Sequence, residues 1–198
     1  MFSLASSVFA VSGGASGVGL ATCRMLAAAN ARAISIDDFQ DANFEAIRKE
    51  LQSINPSTEV QTIKVDVSSS ASVTAWISGI TLSFGTLDGA ASAAGVAQPI
   101  GVRKSPAILS ETDEMFKRTV GINLEGVFYC SREQIRIMME LPTASRNIVN
   151  IASITSPVHG GDMYGYGESK VGVAYLSACL AKDVAPHGVR VNWFHLVS

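Results

Sequence analysis

A glycine-rich turn directly after a short apolar run is the feature that most constrains this chain. The apolar run at residues 8–11 leads into Ser12-Gly13-Gly14-Ala15-Ser16-Gly17-Val18-Gly19, and a helical pattern covers residues 18–29. Glycines let backbone N–H groups approach a phosphate closely, and a helix N-terminus favours negative charge beside them. The turn therefore predicts a diphosphate-binding site. A tight strand-to-helix connection without a ligand is the alternative.

Short apolar runs alternate with helical patterns along the rest of the chain. The pattern predicts strands at 8–11, 33–37, 60–65, 87–91, 147–151 and 190–194, and helices at 18–29, 41–54, 71–84, 111–141 and 165–183. Such alternation is typical of an α/β fold with a Rossmann-like, doubly wound parallel β-sheet between two helical layers. We expect ligands at the carboxyl ends of the strands. Asn123, within Gly121-Ile122-Asn123, predicts a distortion of the long fourth helix.

Composition bounds the function classes. The chain has 198 residues, of which 47% are hydrophobic and 16% charged, and this is typical of one globular domain. The net charge of -2 provides no basic stripe, so we expect neither nucleic acid nor a membrane surface as a partner. The absence of a basic leader and of a long apolar span predicts a cytoplasmic protein.

Cysteine and histidine spacing predicts no metal site. Cys23, Cys130 and Cys179 are far apart and lack CxxC spacing, so we interpret them as buried reduced thiols rather than as disulfide or zinc residues. Three histidines have no partner at motif spacing and are interpreted as surface or loop residues: His159, His187 and His195.

Acidic residues follow the second and third predicted strands. Asp37 ends the second strand, where a carboxylate can accept hydrogen bonds from adenosine ribose hydroxyls and would repel a 2′-phosphate. No Lys or Arg lies in the glycine turn or directly after Asp37, so NAD(H) is favoured over NADP(H), although the neighbouring Asp38 blurs the assignment. Asp66 follows the third strand, within reach of an adenine amino group, or it caps the next helix.

Tyr166 and Lys170 stand four residues apart at the start of a predicted helix, so their side chains share one face. An adjacent ammonium group favours the phenolate form of a tyrosine, and this suits the tyrosine to acid–base catalysis. Ser153 ends the fifth predicted strand and could hold a substrate oxygen beside the phenol. The four-residue spacing alone is weak, and a serine after a strand is often only a turn residue.

Taken in order, these motifs resemble the short-chain dehydrogenase/reductase family. The resemblance runs from about residue 8 to 192 and includes the glycine turn, Asp66, Ala93-Ala94-Gly95, Asn123 and the Ser153, Tyr166 and Lys170 constellation. It implies that Tyr166 exchanges a proton with the substrate oxygen, that Ser153 polarises this oxygen, and that Lys170 binds the nicotinamide ribose. Asn123 would hold a water linked to Lys170. The cofactor-binding residues implied by the turn, the acids and the resemblance are Gly13, Ser16, Gly17, Val18, Gly19, Asp37, Asp66, Val67, Ala94, Gly95, Tyr166 and Lys170.

Departures from the family pattern lead to two expectations. Ala93 and Ala94 stand where two asparagines are usual, so this corner of the sheet should be less well braced. Leu196 and Val197 stand where a Pro-Gly turn is usual, and the family's substrate-covering segment and seventh strand do not follow. We therefore expect one NAD(P)-binding Rossmann domain over residues 1–198 that is truncated after about residue 192, with the last strand missing.

The leading hypothesis is an oxidoreductase that transfers hydride between NAD(H) and an alcohol/carbonyl pair. A catalytically impaired dinucleotide-binding or dimer-partner protein is the first alternative. A sugar-nucleotide epimerase or dehydratase is the second, but Gly13-x3-Gly17-x-Gly19 differs from the spacing usual in those enzymes. The resemblance also implies a homodimer or homotetramer that pairs through the helices at 111–141 and 165–183.

Overall fold

Six parallel strands form one sheet. The computed structural model describes residues 4–97, 104–142, 144–155, 157–158 and 162–196. The sheet order is β3-β2-β1-β4-β5-β6, and every neighbouring pair is parallel. Chain order reverses between β1 and β4, which is the position at which ligand crevices form in open parallel sheets. The strands are β1 Val8–Ser12, β2 Ala33–Asp38, β3 Glu59–Lys64, β4 Gly89–Ser92, β5 Arg146–Ser153 and β6 Val189–Leu196.

Helices cover both faces of the sheet. They are α1 Gly17–Ala28, α2 Phe44–Ile54, α3 Ser70–Phe84, α4 Asp113–Val120, α5 Gly126–Glu140 and α6 Tyr164–Val184. The helices α1 and α2 pack through one buried cluster that includes Ile34, Ile36 and Leu51. On the other face α3, α5 and α6 share a larger cluster that includes Trp76 and Ile148. This arrangement confirms the predicted α/β/α layers.

Local capping chemistry sets several helix ends. Ser69 caps α3, since its side-chain oxygen accepts a hydrogen bond from the Ser72 N–H at 3.3 Å, and Gly85 ends the same helix with a left-handed φ of 76°. Thr112 caps α4 by accepting from the Met115 N–H at 3.2 Å. These bonds satisfy backbone groups that the helix itself leaves without partners.

The predicted distortion at Asn123 is confirmed. A π-helical turn, Gly121–Glu125, joins α4 to α5, so the predicted helix at 111–141 is two α-helices in one continuous rod. Asn123 is fully buried within this turn. Because a π-turn adds a residue to the helical repeat, it changes the direction in which the following side chains point.

The strand bounds differ slightly from the predictions. The fourth strand begins at Gly89 rather than at Leu87, and the Asp88 carboxylate just before it accepts a hydrogen bond from the Val8 N–H at 2.9 Å. β6 continues to Leu196, paired with Ser153 of β5. No helix among the described residues is both long and apolar enough to cross a membrane.

Candidate active site

A cavity of about 700 Å³ opens at the carboxyl ends of the strands. Its wall includes all the predicted cofactor-binding residues, namely Gly13, Ser16, Gly17, Val18, Gly19, Asp37, Asp66, Val67, Ala94, Gly95, Tyr166 and Lys170. The fold therefore brings together the residues that the sequence motifs single out. Ser153 and Asn123 are not part of the wall itself, although each is a near neighbour of residues that are.

The glycine turn fits tightly against the loop after the fourth strand. Gly13 has a left-handed φ of 65°, and a Cβ there would lie 2.6 Å from the Ala94 Cα. A Cβ on Gly19 would collide with the carbonyl oxygen of Gly13. Ser16 stands at the N-cap of α1 with no side-chain capping bond, and the first turn of α1 holds no acidic residue. Glycine is thus required at positions 13 and 19 for the close packing of the turn. Because the first turn of α1 holds no acidic residue, its N-terminal N–H groups have no local carboxylate that would compete with an anionic ligand.

Ser12 braces the corner that lacks the two asparagines. Its hydroxyl oxygen accepts hydrogen bonds from the backbone N–H groups of Ala93 at 3.1 Å and Ala94 at 3.2 Å. The Ala93 N–H also contacts the Ser12 carbonyl at 3.2 Å. One hydroxyl on β1 thus holds the loop after β4, and the expected loss of stability at this corner stays a prediction.

Asp37 is buried at the base of the cavity with half of its carboxylate unpartnered. Oδ1 accepts a hydrogen bond from the Gly13 N–H at 3.0 Å, whereas Oδ2 has no partner among the described residues. Burial raises the pKa of Asp37 well above its ordinary value, and the bond from Gly13 opposes this only in part. A buried oxygen without a donor fits a ligand that brings hydroxyl groups, as the ribose of a dinucleotide does.

The neighbouring Asp38 also lines the cavity and is hydrogen-bonded to the glycine turn. Its Oδ2 accepts a hydrogen bond from the Ala15 N–H at 3.1 Å, and its Oδ1 accepts one from the Gln40 N–H at 2.9 Å. The carboxylate therefore occupies a turn N–H that an anionic ligand group would otherwise use. It also places a second negative charge next to Asp37.

Asp66 lies in the cavity wall and does not cap the following helix. Its Oδ1 accepts hydrogen bonds from the Ser68 N–H at 3.0 Å and the Ser68 hydroxyl at 2.6 Å, which is a local Asx-type turn. Ser69 is the N-cap of α3. The capping alternative for Asp66 is therefore wrong, and its place in the wall is compatible with the adenine contact predicted for it.

Lys170 and Tyr166 share another part of the cavity wall. The Lys170 Nζ donates a hydrogen bond to the Ile151 carbonyl at 2.8 Å and lies 5.8 Å from the centre of the Tyr166 ring. Burial lowers the pKa of Lys170 to about 8. The start of α6 thus brings a buried amine and a half-buried phenol together at the cavity wall, as the four-residue spacing predicts.

Ser153 lies two residues beyond Ile151 at the end of β5. Its hydroxyl oxygen accepts a hydrogen bond from the Thr155 N–H at 3.3 Å. No acceptor for the Ser153 hydroxyl proton is present in the described part of the chain, so this proton is available to a ligand oxygen. The side chain is almost fully buried.

Asn123 binds the loop after β4 rather than facing the cavity with free polar atoms. Its amide donates to the Val96 carbonyl at 2.9 Å and accepts from the Val96 N–H at 2.8 Å. A Cβ on Gly95 would lie 3.2 Å from the Asn123 Oδ1 and 3.7 Å from the Lys170 Nζ. The π-turn thus brings Asn123 next to Lys170, but its side-chain atoms are already bonded. A water of the kind that the resemblance implies would have to share these atoms with Val96.

Other residues in the wall are absent from the sequence prediction. Phe39 is an exposed aromatic residue at the rim, and the Lys64 Nζ lies 5.9 Å from the centre of its ring. Lys117 and Arg118, near the end of α4, also line the cavity. For Phe39, the available signal was an aromatic residue two positions after Asp37. The α4 residues carry no local motif and reach the cavity only through the fold.

The histidine and cysteine predictions hold in part. Cys23 and Cys130 are buried free thiols, and burial raises the pKa of Cys23 to about 12, but Cys179 is exposed. His195 lies in β6 and is exposed, as expected for a surface residue, and its Nδ1 is 2.9 Å from the Ser153 carbonyl oxygen. His159 lies outside the described residues. Within the ranges that the structure describes, no group of three acidic, histidine or cysteine side chains could hold a metal ion.

Comparison with known proteins agrees with this geometry. A family model described as short chain dehydrogenase matches residues 7–196. The chain belongs to that family. Short chain dehydrogenases are oxidoreductases whose fold binds NAD or NADP. The resemblance given by the motifs is thereby confirmed at the level of the family.

The chain is similar to short chain dehydrogenases of one named activity. It is 47% identical to chanoclavine-I dehydrogenase of Aspergillus fumigatus and 46% identical to that of Claviceps purpurea, in each case over 97% of this chain and 74% of the relative. Among solved structures, levodione reductase superposes with a TM-score of 0.86 at 32% identity, over 98% of this chain and 72% of that one. A 3-oxoacyl-[acyl-carrier protein] reductase from Brucella melitensis in complex with NAD gives 0.85 at 25% identity, over 96% and 72%.

Proposed function

We propose that this chain is an NAD-dependent dehydrogenase that interconverts an alcohol and a carbonyl compound, with chanoclavine-I or a closely similar compound as its substrate. The observation that carries the proposal is the contact between the Lys170 amine and the Tyr166 ring in the wall of the dinucleotide cavity. The substrate class rests on the similarity to chanoclavine-I dehydrogenases. We infer that residues 1–198 provide one cofactor-binding domain.

Tyr166 is the proposed acid–base residue. In the oxidative direction its phenolate oxygen takes the proton from the substrate hydroxyl as the carbon–hydrogen bond breaks. In the reductive direction the phenol returns that proton to the carbonyl oxygen. When bound, the nicotinamide supplies the acceptor or donor of the hydride.

Lys170 supports this role of Tyr166 through charge. Its amine is held by the Ile151 carbonyl, and this fixes the amine beside the Tyr166 ring. A protonated amine at that position favours the phenolate over the phenol. Lys170 also lines the cavity, so it can donate to a ribose hydroxyl of the cofactor.

Ser153 is the proposed donor to the substrate oxygen. Its hydroxyl oxygen already accepts from the Thr155 N–H, which directs its proton elsewhere. A donor that faces developing negative charge lowers the reaction barrier. Asn123 is proposed as a positioning residue, because its two bonds to Val96 hold the loop beside Lys170.

The preference for NAD over NADP is inferred from two carboxylates. Asp37 offers an unpartnered buried oxygen to the ribose hydroxyls, and Asp38 occupies the Ala15 N–H at the side of the turn. A 2′-phosphate there would meet two acids and would lack a backbone donor. Replacing the 2′-hydroxyl by a phosphate should therefore cost affinity at this site.

The proposed assembly is a dimer or tetramer of identical chains. Phe128 on α5 and Val171 on α6 are large hydrophobic side chains that are exposed in the single chain. Burial of such side chains against a second copy would be favourable. Light scattering on the purified protein would measure the mass directly, and a monodisperse monomer at micromolar concentration would contradict this assembly.

The decisive experiment compares turnover with binding. The chain is incubated with NAD and chanoclavine-I while the absorbance of the reduced nicotinamide is recorded, for the wild type, Tyr166→Phe and Tyr175→Phe. Tyr175 is 74% exposed on the same helix and provides a matched control. We expect turnover in the wild type and Tyr175→Phe and its loss in Tyr166→Phe, with NAD binding retained in all three. Binding of NAD with no turnover on chanoclavine-I or a panel of alcohols would favour the non-catalytic alternative.

A further inference from the structure

The side chain of His195 joins the edge strand β6 to the residue proposed to hold the substrate oxygen. Its Nδ1 lies 2.9 Å from the Ser153 carbonyl oxygen, and the Trp193 Nε1 lies 3.2 Å from the His195 Nε2. The three residues form one chain of contacts, and Ser153, next to Ala152 of the cavity wall, is at the end nearer the cavity. In the strand ladder Ser153 pairs with Leu196, so the contact to His195 is additional to the regular pairing.

The chemistry of its two partners, the Trp193 indole and the Ser153 carbonyl, decides where the proton of His195 lies. An indole N–H can only donate, so the His195 Nε2 that faces it must accept. In a neutral imidazole the other nitrogen then carries the proton. The His195 Nδ1–H therefore donates to the Ser153 carbonyl oxygen, and both ring nitrogens are satisfied.

Trp193 is itself held in place by packing. Its ring packs against a buried cluster formed by Val127, Ala152 and Val173, from α5, β5 and α6. The indole N–H therefore has a fixed position, and the imidazole it contacts inherits that position. The buried cluster thus positions Trp193, Trp193 positions the His195 ring, and His195 contacts Ser153.

Both oxygens of Ser153 consequently accept protein hydrogen bonds. The carbonyl accepts from His195 and the hydroxyl oxygen accepts from the Thr155 N–H. The first bond fixes the backbone at the end of β5, and the second fixes the direction of the side chain. The hydroxyl proton is then the part of Ser153 left to face a ligand.

We propose that His195 is a positioning residue, which holds the Ser153 carbonyl through its Nδ1–H and so orients the Ser153 hydroxyl toward the substrate oxygen. This inference rests on the proposed function of Ser153. It assigns to His195 a role in turnover and none in cofactor binding, because neither Trp193 nor His195 lines the described cavity wall.

The test uses side chains that place a donor at one ring nitrogen or the other. Asparagine puts its amide near the position of Nδ1, whereas glutamine reaches toward that of Nε2. We expect His195→Ala and His195→Gln to lower kcat about five- to tenfold on chanoclavine-I with NAD, the effect of one lost hydrogen bond. His195→Asn should restore most of the kcat. His187→Ala, at an exposed turn after α6, should leave kcat unchanged. The Kd for NAD should be the same in all five proteins.

A second measurement reads the contact without turnover. Nitrogen-15 correlation spectra of the full chain should show His195 as the Nδ1–H tautomer in the wild type. Trp193→Phe should weaken this preference without abolishing it, because the Ser153 carbonyl oxygen still requires a donor. An unchanged kcat in His195→Ala, or an Nε2–H tautomer in the wild type, would overturn the positioning role. If His195→Ala fails to fold, the test rests on the kcat of His195→Asn compared with that of His195→Gln, and on the tautomer of His195 in the wild type. A wild type that shows the Nδ1–H tautomer but no turnover would instead count against the proposed function.

Discussion

The amine of Lys170 lies 5.8 Å from the centre of the Tyr166 ring while it donates a hydrogen bond to the Ile151 carbonyl. Among the described residues, the amine is thus buried beside a phenol and a backbone carbonyl rather than beside a carboxylate. Burial of this kind favours the neutral amine and has a cost for folding. Burial of the Lys170 amine lowers the stability of the fold, but it places a positive charge where it can stabilise the Tyr166 phenolate.

The cost at Lys170 should be visible in the pH dependence of stability. Burial lowers the pKa of Lys170 to about 8 in the folded chain, from 10.5 for an unperturbed lysine. Between these values the unfolded chain binds more protons, so the free energy of unfolding should rise with pH from about 8 to about 10.5. The slope from this group is at most ~1.4 kcal/mol per pH unit. Below the lower pKa both states hold the proton and the contribution is constant.

Urea unfolding of the cofactor-free protein across this range measures the effect. The difference between wild type and Lys170→Met should shrink as the pH rises through the window. Lys182→Met, at a more exposed position on the same helix, should parallel the wild type. A difference between wild type and Lys170→Met that does not vary with pH would contradict the assignment.

Asp37→Asn should stabilise the cofactor-free protein and weaken its binding of NAD. The substitution replaces a buried carboxylate, whose Oδ2 has no partner among the described residues, by a neutral amide. The amide keeps one oxygen that can accept the hydrogen bond from the Gly13 N–H. Because burial raises the pKa of Asp37, stability in the wild type should fall as the pH rises from the unfolded value of 3.8 through the folded one. We expect a gain of about 1 kcal/mol or more at neutral pH.

Calorimetry gives both quantities for Asp37→Asn. The thermal midpoint should increase without ligand, and the Kd for NAD should increase about tenfold or more, since a charge-assisted bond to ribose is lost. Asp113→Asn, at an exposed site on α4, is the control for simple charge removal. Tighter NAD binding in Asp37→Asn would refute the ribose role.

Asp38→Ser should improve the binding of NADP relative to NAD. The change removes one negative charge and frees the Ala15 N–H for a phosphate oxygen. A shift of about tenfold in the ratio of the two Kd values is expected from the loss of like-charge repulsion. Equilibrium titration with each reduced cofactor, followed by fluorescence, would measure the ratio. An unchanged ratio would mean that Asp37 alone selects the cofactor.

Ser12→Ala should destabilise the chain, and Ser12→Thr should not. Alanine leaves the Ala93 and Ala94 N–H groups without the hydroxyl oxygen they share, at a cost of about 1–3 kcal/mol. Threonine keeps that oxygen and adds one methyl group. Denaturant midpoints of the three proteins test the role, and equal midpoints for alanine and wild type would show that the backbone contact to Ser12 suffices.

Local chemistry explains why the layers, most of the element positions and the cavity residues could be predicted from the sequence. The glycine turn, Asp37 and the Tyr166 and Lys170 pair are short-range patterns. Arg118 and the contact between His195 and Ser153 depend on which distant segments the fold brings together. A histidine 42 residues from its partner carries no local signal. The sequence predicts only a distortion at the π-turn, because the hydrogen bonds of Asn123 go to the backbone of Val96, which is distant in the sequence.

The glycine turn and the loop after β4 are packed closely together and joined by hydrogen bonds. A Cβ on Gly13 would lie 2.6 Å from the Ala94 Cα, and the Ser12 hydroxyl accepts hydrogen bonds from Ala93 and Ala94 of the same loop. Any side chain larger than glycine at position 13 would therefore disturb the packing of this part of the cavity wall. A change of cofactor preference would then require substitutions among the side chains at the cavity rim. The contacts between the glycine turn and the loop after β4 would have to stay unchanged.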